Sequence, residues 1–250
     1  MGTITLIPLD GIPEVHPNED LAALLLAAIG ASGERLRAGD IVAVAQKVVS
    51  KAEGRLCRVS EVVPGERALA MAAESGRDAQ LLEIVLGETR RIVRWSRGVL
   101  IVETHHGFVC ANAGVDQSNA GAADTVVLLP VDPDASAARL RAALSAATGL
   151  DVPVIVTDTF GRAWREGHLN VAIGISGLPA LRRYAGSLDP EGYELKVTEI
   201  AVADELAAAS ELVMGKLDRR PAALIRGFVL ADPSETAREY VRPAERDMFR

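Results

Sequence analysis

The run Val152 to Thr157 (VPVIVT) is a continuous apolar stretch, the pattern of a strand buried on both faces rather than lying half against solvent. Such a strand needs cover above and below its sheet, and the rest of the chain offers it as Ala/Leu-rich stretches of helical period. Thr3 to Pro8 reads as a strand, and Asp20 to Ile29 as a helix with Gly30 just past its end. Ile41 to Val49 is expected to be a strand, after a Gly39-Asp40 turn. Glu66 to Glu74 and Asp78 to Leu86 are two helices separated at Ser75-Gly76, and Val99 to Val109 is a hairpin around His105-His106-Gly107. Thr125 to Leu129 is a further strand. Asp132-Pro133-Asp134 leads into an amphipathic helix, Ala135 to Ala147, closed by Gly149. Leu195 to Ile200 is read as a strand, Val202 to Val213 as a helix stopping at Gly215, and Ala222 to Phe228 as the last strand. The expected class is α/β (α+β) with a mixed sheet. Residues 1–250 form one domain or two intimately packed lobes, and the charged tail 238–250 is expected to be partly ordered at best.

Composition narrows the function. Nearly half the residues (49%) are apolar, enough for a sizeable core. Lys and Arg number 27 against 34 Asp and Glu, a formal net charge of −7, which argues against sequence-independent nucleic-acid binding. A nucleotide stays possible, since its few phosphates need only local donors and metal ions. Cys57 and Cys110 have no CxxC spacing, so neither a disulfide framework nor a zinc knuckle is expected. Met1 to Pro8 has no basic region followed by an apolar run. No apolar stretch approaches the roughly 20 residues of a spanning helix. A cytoplasmic protein, without membrane or nucleic-acid partners, is the expectation.

The polar residues gather where strands end. In TDTFGRAWR, Asp158 and Thr159 follow the buried run directly, an oxygen donor pair of the sort Mg²⁺ or Mn²⁺ prefers. Arg162 and Arg165 lie close behind, with guanidinium forks suited to phosphate or carboxylate oxygens. Asp158 as a turn cap and the two arginines as surface ion pairs would serve equally well for this segment alone. In NAGVDQSN, Asp116 offers a second carboxylate, and Asn112 and Asn119 offer amides. An Asx-type turn explains the same letters. Two acids at separate strand ends suit a shared metal site. In QKVVSKAEG, Lys47 and Lys51 are compact charges for a terminal phosphate, or simply exposed lysines on an edge strand. A fourth turn follows Val213, at Met214-Gly215-Lys216.

The familiar nucleotide signatures are missing. Met214-Gly215-Lys216-Leu217 lacks the rest of a P-loop, and no strand–GxGxxG–helix unit or GxSxG elbow occurs. His105 and His106 adjoin and would point to opposite faces of a strand, while His16 and His168 stand alone.

These segments together resemble the coenzyme F-420-0:γ-glutamyl ligase family. The likeness is carried in order by PLDGIP, QKVVSKAEGR, NAGVDQSN, LLPVDPDASA, VTDTFGRAWREG and the VADE–MGK–RG series, from Ile7 to about Gly227. It implies a GTP-dependent ligase with its own α/β fold, an intertwined homodimer, two divalent metals (Mg²⁺ or Mn²⁺) and potassium as activator. The substrates would be L-glutamate and the deazaflavin cofactor precursor. By position Asp10, Gly11, Ile12, Pro13, Gln46, Lys47, Lys51 and Asn119 match GTP contacts of the family, with Met214, Gly215 and Lys216 beside them. Asp116, Asp158 and Thr159 match its metal ligands, and Arg162 or Arg165 would hold an anionic group of a substrate. Lys216 stands where some relatives have an acidic or Gly-rich loop, which bears on the second metal. A metal-dependent phosphohydrolase is the competing reading, and a non-catalytic nucleotide-binding regulator the third.

Overall fold

The computed structural model describes residues 2–117, 124–230 and 236–247. Along the chain come β1 (Thr5–Pro8), α1 (Leu21–Ala31), β2 (Ile41–Ala45), α2 (Gln46–Ala52), β3 (Leu56–Arg58), α3 (Glu66–Ser75), α4 (Ala79–Gly87), β4 (Thr89–Ser96), β5 (Val99–Thr104) and β6 (Val109–Ala111). They are followed by β7 (Thr125–Val127), α5 (Pro133–Thr148), β8 (Val154–Arg162), β9 (Arg165–Ser176), β10 (Leu181–Arg183), β11 (Glu199–Ala201), α6 (Val202–Met214) and β12 (Ala222–Arg226).

The central sheet has the order β1-β12-β2-β8-β9. Only β2 and β8 run parallel in it; the other pairs are antiparallel, so the sheet is mixed as expected. Side chains alternate across the pleat. Val42, Val44, Val154 and Val156 enter one core with Leu25 of α1 and Leu140 and Leu144 of α5. Ile41, Ala43, Ile155 and Ile225 enter the opposite core with Ala203, Leu206 and Ala207 of α6. The run Val152–Thr157 is therefore covered on both faces. A separate core joins Met71 of α3 and Leu82 and Val85 of α4 to Leu100 and Val102 of β5.

The helix ends follow local chemistry. Asp20 caps α1 by accepting from the Ala23 N–H at 3.0 Å, and Asp132 caps α5 by accepting from Ala135 at 3.1 Å, with Pro133 in the first turn. Gly149 ends α5 in the left-handed region at φ 71°.

Three expectations are corrected. Ile41–Val49 is not one strand: β2 stops at Ala45 and α2 begins at Gln46 without an intervening loop. Helical spacing lets Val48 and Val49 join the core while the Ser50 hydroxyl donates to Gln46 Oε1 at 2.9 Å. TDTFGRAWR is not a turn: β8 continues through it to Arg162, and the chain reverses at Ala163 and Trp164, the latter at φ 58°. Leu195–Ile200 is a strand only from Glu199; before it, Asp189 accepts from the Glu191 and Tyr193 N–H groups in a turn, and Val197 is exposed. Of this stretch only Ile200 packs against a core, so the residues before Glu199 gain little from extending.

The tail is pinned where it is described. Tyr240 donates its hydroxyl proton to the Ala180 carbonyl at 2.6 Å and accepts from the Ala203 N–H at 3.1 Å. Among the described residues no helix is long and apolar enough to cross a membrane.

Candidate active site

The parallel pair β2 and β8 ends together, with Ala45 opposite Thr157. Asp158 is the first β8 residue beyond the end of its parallel neighbour, and α2 starts at the same level. Open α/β sheets place ligands at the carboxyl ends of parallel strands. Here that edge opens on a cavity of about 760 Å³, walled by the segments Ile12 to Val15, Ala45 to Val48, Asp116-Gln117, Thr157 to Thr159 and Met214 to Leu217.

Ile12, Pro13, Gln46, Lys47, Lys51, Asp116, Asp158, Thr159, Met214, Gly215 and Lys216 all line this one cavity. The convergence proposed from separate strand ends is thus present. Asp10 and Gly11 lie outside the wall, but Asp10 accepts from Arg220 Nε at 2.7 Å, and Arg220 lines it. Asn119 lies outside the described residues. Arg162 and Arg165 are not brought to the cavity: they face each other across the exposed end of the β8–β9 hairpin, and Arg162 donates to the Glu166 carbonyl. Asn112 is also elsewhere, its Oδ1 accepting from Arg77 at 3.1 Å. His105 and His106 face backbone carbonyls of Gly87 and Pro130, respectively, and are structural.

The lysines sit on α2 rather than on a strand, yet share a side, because residues four apart are neighbours on a helix. Lys47 Nζ is 2.8 Å from Asp116 Oδ2, and Lys51, nearly buried, pairs with Glu14. Asp116 is itself fixed by backbone hydrogen bonds to Val127 in both directions, at 3.0 and 2.8 Å. Asp158 Oδ1 accepts from the Thr159 N–H at 2.8 Å, and the Thr159 hydroxyl donates to Asn170 Oδ1 at 2.8 Å. Burial pushes the Asp158 carboxyl up to about 7; the Thr159 N–H opposes this, the Asp116 charge adds to it, and Lys216 and Lys47 oppose it. A carboxylate so placed favours a cation beside it.

Gln46 shows a further demand. Its Nε2 is buried and has no hydrogen-bond partner among the described residues. A buried donor left unpaired costs about 1–3 kcal/mol, and Gln46 lines the cavity. An acceptor atom of a bound ligand would satisfy it.

Comparison with known proteins decides the family. The family model described as F420-0:Gamma-glutamyl ligase matches residues 11–227. The chain is 42% identical over 250 residues to the Coenzyme F420:L-glutamate ligase of Methanothermobacter thermautotrophicus, covering 99% of each protein.

The chain belongs to the F420-0:γ-glutamyl ligase family.

The protein of the same description from Methanopyrus kandleri is 43% identical over 258 residues, spanning all of both chains, and that of Methanocaldococcus jannaschii is 40% identical over 213 residues and 85% of each. Sequence reasoning reached this family but missed part of the wall. Glu14, Asn170, Glu211 and Arg219 line the cavity without having been singled out. Asn170 carried a usable signal: it is a polar residue at the start of the run NVAIGIS, and it pairs with Thr159 across β8 and β9.

Proposed function

We propose that this chain is a ligase that joins L-glutamate through an amide bond to the deazaflavin coenzyme F-420-0, at the expense of GTP and with a divalent metal ion. The observation that carries the reading is the meeting of Lys47, Lys51, Asp116, Asp158 and Thr159 on one cavity, within a chain of this family.

The donor set suits the task. Asp116, Asp158 and Thr159 offer hard oxygen atoms, which would hold Mg²⁺ or Mn²⁺. When bound, such an ion neutralises charge on phosphate oxygens. Lys47 and Lys51 would stabilise the negative charge that develops on the transferred phosphoryl group, acting as compact point charges held by their neighbours. Gln46 Nε2 would donate to an acceptor atom of the nucleotide.

The reaction proceeds in two displacements. The acceptor carboxylate attacks the γ-phosphorus of GTP, the bond from that phosphorus to the β–γ bridging oxygen breaks, and GDP leaves. The glutamate amine then attacks the activated acyl carbon, losing a proton, and inorganic phosphate departs. An intertwined homodimer and activation by potassium belong to the same reading.

The test is mass spectrometry of the deazaflavin acceptor after incubation with the protein, GTP, Mn²⁺ or Mg²⁺, and L-glutamate. A glutamyl mass increment that vanishes without GTP supports the ligase. No increment, with phosphate released from simple phosphoesters, turns the assignment to a phosphohydrolase.

A further inference from the structure

The family resemblance calls for two divalent ions, but the described residues on the cavity wall fit one. Asp116, Asp158 and Thr159 form one set of oxygen donors. Among the described residues no group of three or more His, Cys, Asp and Glu side chains could hold a metal. Glu14, held by Lys51, and Glu211 near the end of α6 are the other acids on the wall among the described residues, and neither makes such a group with the two aspartates.

A positive charge already stands beside this donor set. Lys216 Nζ donates to Thr159 Oγ1 at 3.4 Å, beside Asp158. The approach is dictated by the chain. Gly215 follows α6 at φ 64°, a backbone conformation that glycine adopts without strain, and the carboxylate of Asp218 lies over it. This reversal turns Lys216 back from α6 toward β8. On the other flank Lys47 meets Asp116 at 2.8 Å. Two carboxylates thus face two ammonium groups, and one divalent ion together with Lys216 would carry three positive charges toward the phosphates. A lysine does this without further ligands, because its charge is covalently tethered.

We propose that Lys216 takes the place of a second divalent ion: this chain binds one metal ion, at Asp116, Asp158 and Thr159, and the Lys216 ammonium neutralises the transferred phosphoryl group from the other side. The inference rests on the GTP-dependent ligase reading above.

The experiment counts ions without relying on turnover. Mn²⁺ is dialysed to equilibrium against the full chain with equimolar guanylyl imidodiphosphate, and the bound ion is examined by electron paramagnetic resonance. The unaltered protein is expected to bind one Mn²⁺ with an uncoupled six-line spectrum. Lys216→Glu, at an exposed position where folding is not at stake, is expected to bind two, with a spin-coupled spectrum. Lys216→Gln is expected to bind one and to ligate about a hundredfold more slowly. Two ions on the unaltered protein, or one on Lys216→Glu, overturns the proposal and leaves the ligase reading standing. No Mn²⁺ on the unaltered protein overturns both.

Discussion

Lys47 Nζ lies 2.8 Å from Oδ2 of Asp116, so one of the carboxylates offered to a metal is already matched by a cation. A metal ion bound there would compete with Lys47 for the same oxygen. Lys47→Met is therefore expected to tighten Mn²⁺ binding in the absence of nucleotide, by about tenfold or ~1.4 kcal/mol. GTP affinity should fall at the same time, since the terminal phosphate loses a positive neighbour. Titration calorimetry with Mn²⁺ alone and with GTP alone checks both directions; unchanged Mn²⁺ affinity would separate the pair from the metal site.

Asp158 gives a pH dependence. Burial holds its carboxyl at about 7 against an ordinary value of 3.8, so the folded, metal-free protein binds this proton more tightly than the unfolded chain. Its contribution to stability is therefore most favourable below the unfolded value, falls as pH rises toward about 7, and is constant above. Metal requires the ionised form, so Mn²⁺ affinity should drop about tenfold for each pH unit below that point. Asp158→Asn should abolish ligation, flatten both profiles and leave the melting temperature equal or higher at pH 8.

Asp204 behaves alike away from the cavity. Its Oδ1 accepts from the Ala172 N–H at 2.8 Å, tying α6 to β9, and burial raises it to about 6. The ionised form is the penalised one, with the penalty growing between about 4 and 6 and complete above. Asparagine keeps the acceptor without the charge. Asp204→Asn should gain on the order of 1–3 kcal/mol at pH 8 and nothing at pH 4, measured by denaturant unfolding at the two values.

Gly174 marks where α5 touches the sheet. A Cβ there would lie 2.2 Å from the Pro133 carbonyl oxygen, inside van der Waals contact with backbone that cannot swing away. Gly174→Ala is expected to cost about 2–4 kcal/mol by overpacking and to lower the melting temperature without changing GTP affinity in the protein that remains folded.

Much of this was legible because burial leaves a periodic trace. The run Val152–Thr157 announced a doubly covered strand, and Asp20, Asp132 and Gly149 announced helix ends by cap chemistry. The site was legible as chemistry more than as geometry. Lys47 and Lys51 fall on one side in either a strand or a helix, since they are four apart, so the correct grouping survived the wrong element. Arg162 and Arg165 are not brought to the cavity, for the opposite reason. Their closeness to Asp158 in sequence becomes distance once β8 runs on in extended form, at about 3.3 Å per residue. Glu14 went unnoticed because nothing local shows that it meets Lys51, a residue 37 positions away.

The loopless passage from β2 into α2 has an evolutionary corollary. Lys47 and Lys51 inherit their coordinates from a helix whose Val48 and Val49 belong to the main core, so the lysine side of the cavity tolerates little drift. The facing wall, from Lys216 to Arg220, is an exposed-to-half-buried stretch after α6. Substitutions there would disturb no core, so one cavity joins a jaw held by the main core to one held only by a surface turn.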